Sequence, residues 1–229
     1  MSDYIDSYYS RTLTTDRSYP SLRASADTKV CIIGGGLAGL TTALGLGEQN
    51  VDTTLLEAHR VGWGASGRNG GFVGPGFSLA EGQLIAQRGN DAAKELYQLS
   101  RHGVDLIRKR IDQYKIGCEP VLTGGLRPSW FNDRKELERE RDFMHQHFDE
   151  VAHLWTREQI REVLLSKSYF GALYKPDYLQ IHPLNFFRFL PPTPSRVKQK
   201  SLNVTFLSEK IDIFSGHNLV LISFNSTCW

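Results

Sequence analysis

Three glycines and one acid carry the chemistry that this sequence can do. Gly34, Gly36 and Gly39 stand in G-x-G-x-x-G spacing, and Glu57 follows Gly39 by 18 residues. Glycine at the first position allows a tight turn out of a strand. At the second it removes the side chain that would keep a pyrophosphate off the backbone. At the third it lets a helix lie close on the strand. Leu37 and Ala38 lead into a helix whose free N-terminal amides and positive dipole end suit phosphate oxygens. At Glu57, with Ala58 beside it, a carboxylate can accept hydrogen bonds from ribose hydroxyls.

Those residues work only if the elements around them are strand, turn, helix and strand. The apolar run Val30–Ile33 predicts the first strand, Leu40 to Glu48 a helix, and Thr53 to Leu56 a second strand ending at Glu57. This context turns a common glycine turn into a dinucleotide fingerprint. It does not separate FAD from NAD, although the acid at Glu57 argues against NADP, whose 2′-phosphate it would repel. The next stretch favours FAD. Residues 61–71 read VGWGASGRNGG, five glycines in eleven residues. A chain lying along a long cofactor needs small residues and backbone donors, which Gly64, Ala65, Ser66, Gly67, Gly70 and Gly71 supply. Arg68 and Asn69 can reach phosphate or flavin-ring oxygens.

Elsewhere the chemistry-bearing residues are scattered. Cys31, Cys118 and Cys228 are far apart and show neither metal-ligand spacing nor a disulfide framework, which fits a reducing, cytoplasmic setting. His145 and His147 are two apart and point to different faces of a helix, so they cannot share a metal. His182 lies near a strand end, where a general base is conceivable but no partner is visible, and a structural role is the expectation. With 27 basic and 25 acidic residues, a net charge of +2 gives no bulk electrostatic case for nucleic acid or an anionic membrane. No apolar run reaches transmembrane length.

IIGGGLAGLTTALGL followed by LLEAHRVGWGASGRNGG resembles the FAD-dependent oxidoreductases of the D-amino-acid-oxidase-like (glycine/sarcosine oxidase) superfamily. Within it, the gamma-glutamylputrescine oxidase-like flavoproteins are the group most resembled. Further matches are SYYSRT near the N-terminus, GGL at Gly124–Leu126, and FGALYKPDYLQIHPLN at Phe170–Asn185. Phe72 departs from the pattern, since relatives often have Gln after the Gly-Gly pair. The resemblance implies FAD as cofactor, a small-molecule amine or amino acid as substrate, and oxidation of its C–N bond with O2 as acceptor. It implies no particular catalytic side chain.

The fold class expected is α/β: a Rossmann-like FAD-binding parallel sheet with part of an inserted α+β substrate domain, truncated. Residues 1–28 read as a leader packing through Tyr8 and Tyr9, and 29–116 as the first part of the FAD domain. Residues 117–186 read as a partial substrate domain and the return to the FAD domain, and 187–229 as a divergent tail. Apolar spacing predicts a helical stretch over 77–116, capped near Gly117, with Lys94, Arg101, Arg108, Lys109 and Arg110 between the apolar positions as a candidate anion patch or, as preferred, a solvated face. Strands around a Gly-Gly turn are expected over 118–131. A helix over 134–147 is expected to be capped by Asn132 or Asp133, and a second to start from a Thr156/Gln159 capping box. Strand–turn–strand is expected over 170–183, with Pro183 opening a helix. In the tail, Pro191, Pro192 and Pro194 exclude the alanine-rich helix of relatives, and β-like pieces are expected at 203–207 and 219–224. On this reading the family's C-terminal half is replaced, the sheet keeps an unfinished edge, and a non-catalytic nucleotide-binding fragment is the alternative to an active oxidase.

Overall fold

The computed structural model describes residues 4–15, 18–19, 22, 27–189, 197–201 and 220–223. The chain divides into two compact units. One comprises Met1–Gly70, Ile111–Cys118 and His182–Trp229; the other Gly71–Arg110 and Glu119–Ile181.

In the first unit, β1 (Val30–Ile33), α2 (Leu37–Glu48) and β2 (Thr53–Glu57) follow α1 (Tyr8–Arg11). Strands β1 and β2 run parallel, with Val30 opposite Thr53 and Ile33 opposite Leu56. A short apolar run with a turn at each end forms such strands, and their parallel pairing requires the crossover helix between them. Ile32, Leu44 and Leu55 are almost fully buried where α2 lies on the sheet. Each such side chain contributes about 1.5–3 kcal/mol by leaving water. Two later strands, β8 (Val197–Ser201) and β9 (Val220–Ser223), complete the order β8-β2-β1-β9, all parallel. The tail therefore supplies both outer strands, where an unfinished sheet was expected, because the open backbones of β1 and β2 each accept a partner. Strand β9 falls inside the expected 219–224 piece; the 203–207 piece lies outside the described residues. The helix opened by Pro183 is α7 (Pro183–Phe189), whose Leu184, Phe186 and Phe187 are buried.

The second unit begins with β3 (Phe72–Val73), α3 (Glu81–Arg88) and α4 (Asn90–Tyr114), α4 carrying its last four residues into the first unit. The helical stretch expected over 77–116 is thus broken, at Gly89, which takes φ 79°. Helix α4 ends before Lys115, which adopts φ 49°, so Lys115 and not Gly117 makes the left-handed exit. Strand β4 (Gly125–Ser129), α5 (Arg134–Phe148), β5 (His153–Thr156), α6 (Arg157–Val163), β6 (Gly171–Lys175) and β7 (Leu179–Gln180) follow. The order β4-β6-β5 is antiparallel. Strands β6 and β7 do not pair as a hairpin; β7 pairs with β3 after a turn at Pro176 and Asp177. Asp133 caps α5 by accepting from the Glu136 amide at 3.0 Å, and the Thr156/Gln159 capping box forms on α6. Helices α3, α4 and α5 enclose Leu84, Ala93, Tyr97, Met144 and Phe148.

Two polar features of this unit bear on its stability. The Tyr97 hydroxyl donates to Glu150, whose other oxygen lies 2.6 Å from Lys175 Nζ in a buried setting. The basic residues of α4 are partly tied down: Lys94 pairs with Asp149 at 2.7 Å, Arg101 with Asp177 at 3.5 Å, and Arg108 donates to the Asp177 carbonyl.

Candidate functional site

The glycine turn and the glycine-rich loop meet at the N-terminus of α2. Gly34 leaves β1 with φ 105°, a conformation costly for any residue with a side chain. Gly36 is the N-cap of α2, and Leu40 donates to its carbonyl at 3.0 Å. The amides of Ala38 and Gly39 therefore stay open in the first turn, whereas that of Leu37 is taken up by the loop. Ser66 Oγ accepts the Leu37 amide at 2.9 Å. A Cβ on Gly36 would stand 2.9 Å from that same oxygen, and a Cβ on Gly39 only 1.9 Å from the Gly34 carbonyl oxygen. Each glycine of the fingerprint thus has its own steric reason: a positive φ, a close approach to Ser66, and a helix pressed on the turn.

Glu57 closes the other side. Its Oε2 accepts the Gly35 amide at 2.6 Å and its Oε1 accepts the His59 amide at 2.8 Å. The two bonds fix the carboxylate while each oxygen keeps a lone pair for a further donor. Gly35 was not singled out from the sequence, although it is the middle of three consecutive glycines. A Cβ there would come 2.9 Å from Glu57 Oε2, and its carbonyl accepts the Gly62 amide at 2.9 Å. Ala58 lies exposed next to Glu57.

The loop itself is built from local bonds. Ala65–Gly67 is a single 3-10 turn capped by Gly64, whose carbonyl accepts Arg68 Nε at 3.1 Å. Asn69 Nδ2 donates to the Ser66 carbonyl at 2.6 Å. Arg68 lies over the Trp63 ring at 5.2 Å, and Trp63 stacks on His59 at 4.3 Å. These bonds turn the exposed Arg68 and Asn69 side chains onto the loop's own backbone. Gly67 is buried, and a Cβ there would come 2.1 Å from the Gly62 carbonyl oxygen and 2.8 Å from Leu184 Cδ1. Gly70 is exposed; Gly71, the first residue of the second unit, is buried with φ 71° and accepts the Ile181 amide at 2.9 Å.

Other residues considered from the sequence lie elsewhere. Burial pushes the Cys31 thiol up, away from the reactive thiolate form. His147 Nδ1 contacts Asn90 Oδ1 at 2.6 Å on α5, and His182 serves α7. The second unit has a cleft of about 260 Å³ lined by Phe131, Trp155 and Phe170 with Arg134 and Arg157, and none of the glycine-motif residues borders it.

The profile of the family described as "FAD dependent oxidoreductase" matches residues 29–190, from the first strand through α7. The chain belongs to that family. It is 34% identical over 187 residues to the gamma-glutamylputrescine oxidoreductase of Escherichia coli, and 34% identical over 189 residues to OrdL of Haemophilus influenzae. The alignments cover 81% and 80% of this chain, and the chain spans 43% of the length of each relative. Among solved structures, the L-amino acid deaminase of Proteus myxofaciens matches at TM-score 0.63 and 18% identity, over 81% of this chain and 40% of that one. The glycine oxidase of Bacillus cereus matches at TM-score 0.54 and 19% identity, over 77% and 47%. These two likenesses establish the fold, and the family is that of FAD-dependent oxidoreductases. No helix among the described residues is long and apolar enough to cross a membrane.

Proposed function

We propose that this chain holds FAD along the first unit and is the cofactor-binding part of an amine or amino acid oxidoreductase. The adenosine ribose lies at Glu57 and Ala58, where each carboxylate oxygen keeps one acceptor position. The pyrophosphate lies against Gly36, beside Leu37, and against the open amides of Ala38 and Gly39. Ser66, whose oxygen already accepts from Leu37, points its hydroxyl proton to a phosphate oxygen. Gly64, Ala65, Arg68, Asn69, Gly70 and Gly71 continue the path toward the flavin.

The observation that carries this reading is the convergence of Ser66, Gly36 and the first turn of α2: Ser66 Oγ holds the Leu37 amide at 2.9 Å and would crowd any Cβ on Gly36. The chemistry that bound flavin supplies is two-electron oxidation of a C–N bond, with hydride passing to N5 and O2 as the final acceptor. The protein's share is binding, orientation and exclusion of water, and no side chain is assigned to the chemical step. Purifying the chain and recording its visible spectrum tests the reading. Flavin bands that coelute with the protein support it; a colourless protein that takes up no added FAD overturns it.

A second reading is favoured by one observation, the 43% share of its relatives that the chain spans. In that reading the chain binds nucleotide without turning over amines. Peroxide released on adding amines to the flavin-loaded protein decides between the two.

A further inference from the structure

His182 is buried at 5% exposure and sits at the junction of three segments of the first unit. Its Nδ1 lies 3.0 Å from the Asn185 amide, three residues on, so the side chain caps the first turn of α7. An amide can only donate, so Nδ1 is the acceptor and the neutral ring carries its proton on Nε2. Nε2–H then donates to Thr12 Oγ1 at 3.0 Å, and the Thr12 hydroxyl donates in turn to the Tyr8 carbonyl at 2.7 Å. The Tyr9 ring meets the imidazole edge-on at 5.0 Å, and the Thr14 amide donates to Asn185 Oδ1 at 3.1 Å. One imidazole thus ties the N-terminal leader to α7.

Helix α7 also touches the cofactor loop. Leu184 Cδ1 and the Phe187 side chain lie where a Cβ on Gly62 would come within 3.2 and 3.5 Å, and Leu184 packs on Gly67 as well. The leader reaches the same loop directly, through the Tyr4 hydroxyl on the Val61 carbonyl at 2.7 Å. We propose that His182 is a positioning residue for the dinucleotide loop: its neutral Nε2–H form latches leader and α7 against residues 61–67, and protonation at Nδ1 releases them. A protonated Nδ1 faces the Asn185 amide donor to donor, so the cap is lost as pH falls. Tyr8 and Tyr9 of α1 lie against the ring, and the carbonyl of the buried Cys118 accepts the His182 amide. Of the charged groups on the two joined elements, Arg188 belongs to α7, and Arg11 of α1 holds the Asp6 carboxyl below its usual range.

The test follows amide hydrogen exchange in the full-length chain, as protection factors, between about pH 7.5 and 5.5, the range in which imidazole titrates. Segments 8–14, 183–188 and 61–67 are expected to lose about ten-fold protection together in acid, the size of one lost helix cap. His182→Asn, whose amide oxygen can cap but cannot take a proton, should hold that protection across the range. Thr12→Val keeps the cap and should free segment 8–14 at neutral pH while α7 stays protected. A pH-independent parent, an acid step persisting in His182→Asn, or loss at α7 that leaves 61–67 protected would each overturn the proposal. FAD affinity, read by flavin fluorescence, should fall in parallel. This arm alone rests on the cofactor reading. Absence of FAD binding at every pH, with the exchange pattern intact, overturns that reading and leaves the latch standing.

Discussion

Glu57 holds the Gly35 and His59 amides, and in the reading proposed above it also accepts from the ribose. Glu57→Ala should weaken FAD binding by about 1–3 kcal/mol, because ribose hydroxyls lose a charged acceptor and the Gly35 and His59 amides lose theirs. Glu57→Gln keeps one acceptor oxygen and should fall between Ala and parent; isothermal titration with FAD ranks the three. Equal affinity in all three would remove Glu57 from the ribose site. Gly36→Val is a sharper probe. Its side chain would run into Ser66 Oγ, so flavin content after purification should drop to background while the circular dichroism of the helices persists. The turn at Gly34 and the close helix contact at Gly39 were legible from spacing, because each depends on a backbone conformation or clearance that a side chain would spoil; at Gly36 the spacing anticipated clearance for a pyrophosphate, and the neighbour found there is Ser66 Oγ. Gly35 and the Ser66–Leu37 bond were not legible. They arise when a loop 29 residues away folds back onto a helix end, and no local pattern encodes that closure.

At the scale of elements, caps and burial govern the second unit. Asp133→Ala removes the acceptor for the Glu136 amide and should cost about 1 kcal/mol, measured by urea denaturation. Tyr178 gives a pH signature. Burial, reinforced by the Glu150 and Glu81 carboxylates, pushes its phenol well above the ordinary tyrosine range. The folded state therefore holds this proton more tightly than the unfolded state. The stability that follows is intact below the unfolded value, about 10, and is lost as pH rises beyond it. Denaturation midpoints taken from pH 8 to 11 should decline at the alkaline end, and Tyr178→Phe should flatten that decline. An unchanged slope in the variant would assign it to another group. The same region shows what periodicity cannot convey. GALYK and DYLQ read as two strands, and two strands were found, yet each pairs with a different neighbour. Alternation reports that a segment is extended, whereas the partner is chosen by tertiary packing. The helix break at Gly89 has the same lesson, since one glycine within an otherwise helical spacing is compatible with either outcome.

At the scale of the whole molecule, the 229-residue chain is expected to retain flavin weakly and to give no amine-dependent peroxide. A flavin ring must be walled on both faces to exclude water and hold a substrate carbon near N5. In the reading proposed above, this chain, which spans 43% of the length of its relatives, brings the adenosine side of that enclosure. An assay for peroxide with putrescine derivatives and amino acids, run beside the visible spectrum, measures both. Stoichiometric FAD together with turnover would show that the tail completes the enclosure.

The parallel sheet has a consequence for the chain's birth on the ribosome. Val30 pairs with Val220, and Thr53 with Val197. The central strands of the first unit thus emerge long before their outer partners exist, and their backbone edges stay open through most of synthesis. The antiparallel sheet β4-β6-β5 lies wholly within residues 125–175 and can close as soon as β6 leaves the tunnel. The second unit therefore matures first and the first unit last. A chaperone that shields β1 and β2 during that interval should raise the yield of native protein more than any substitution at the glycine turn.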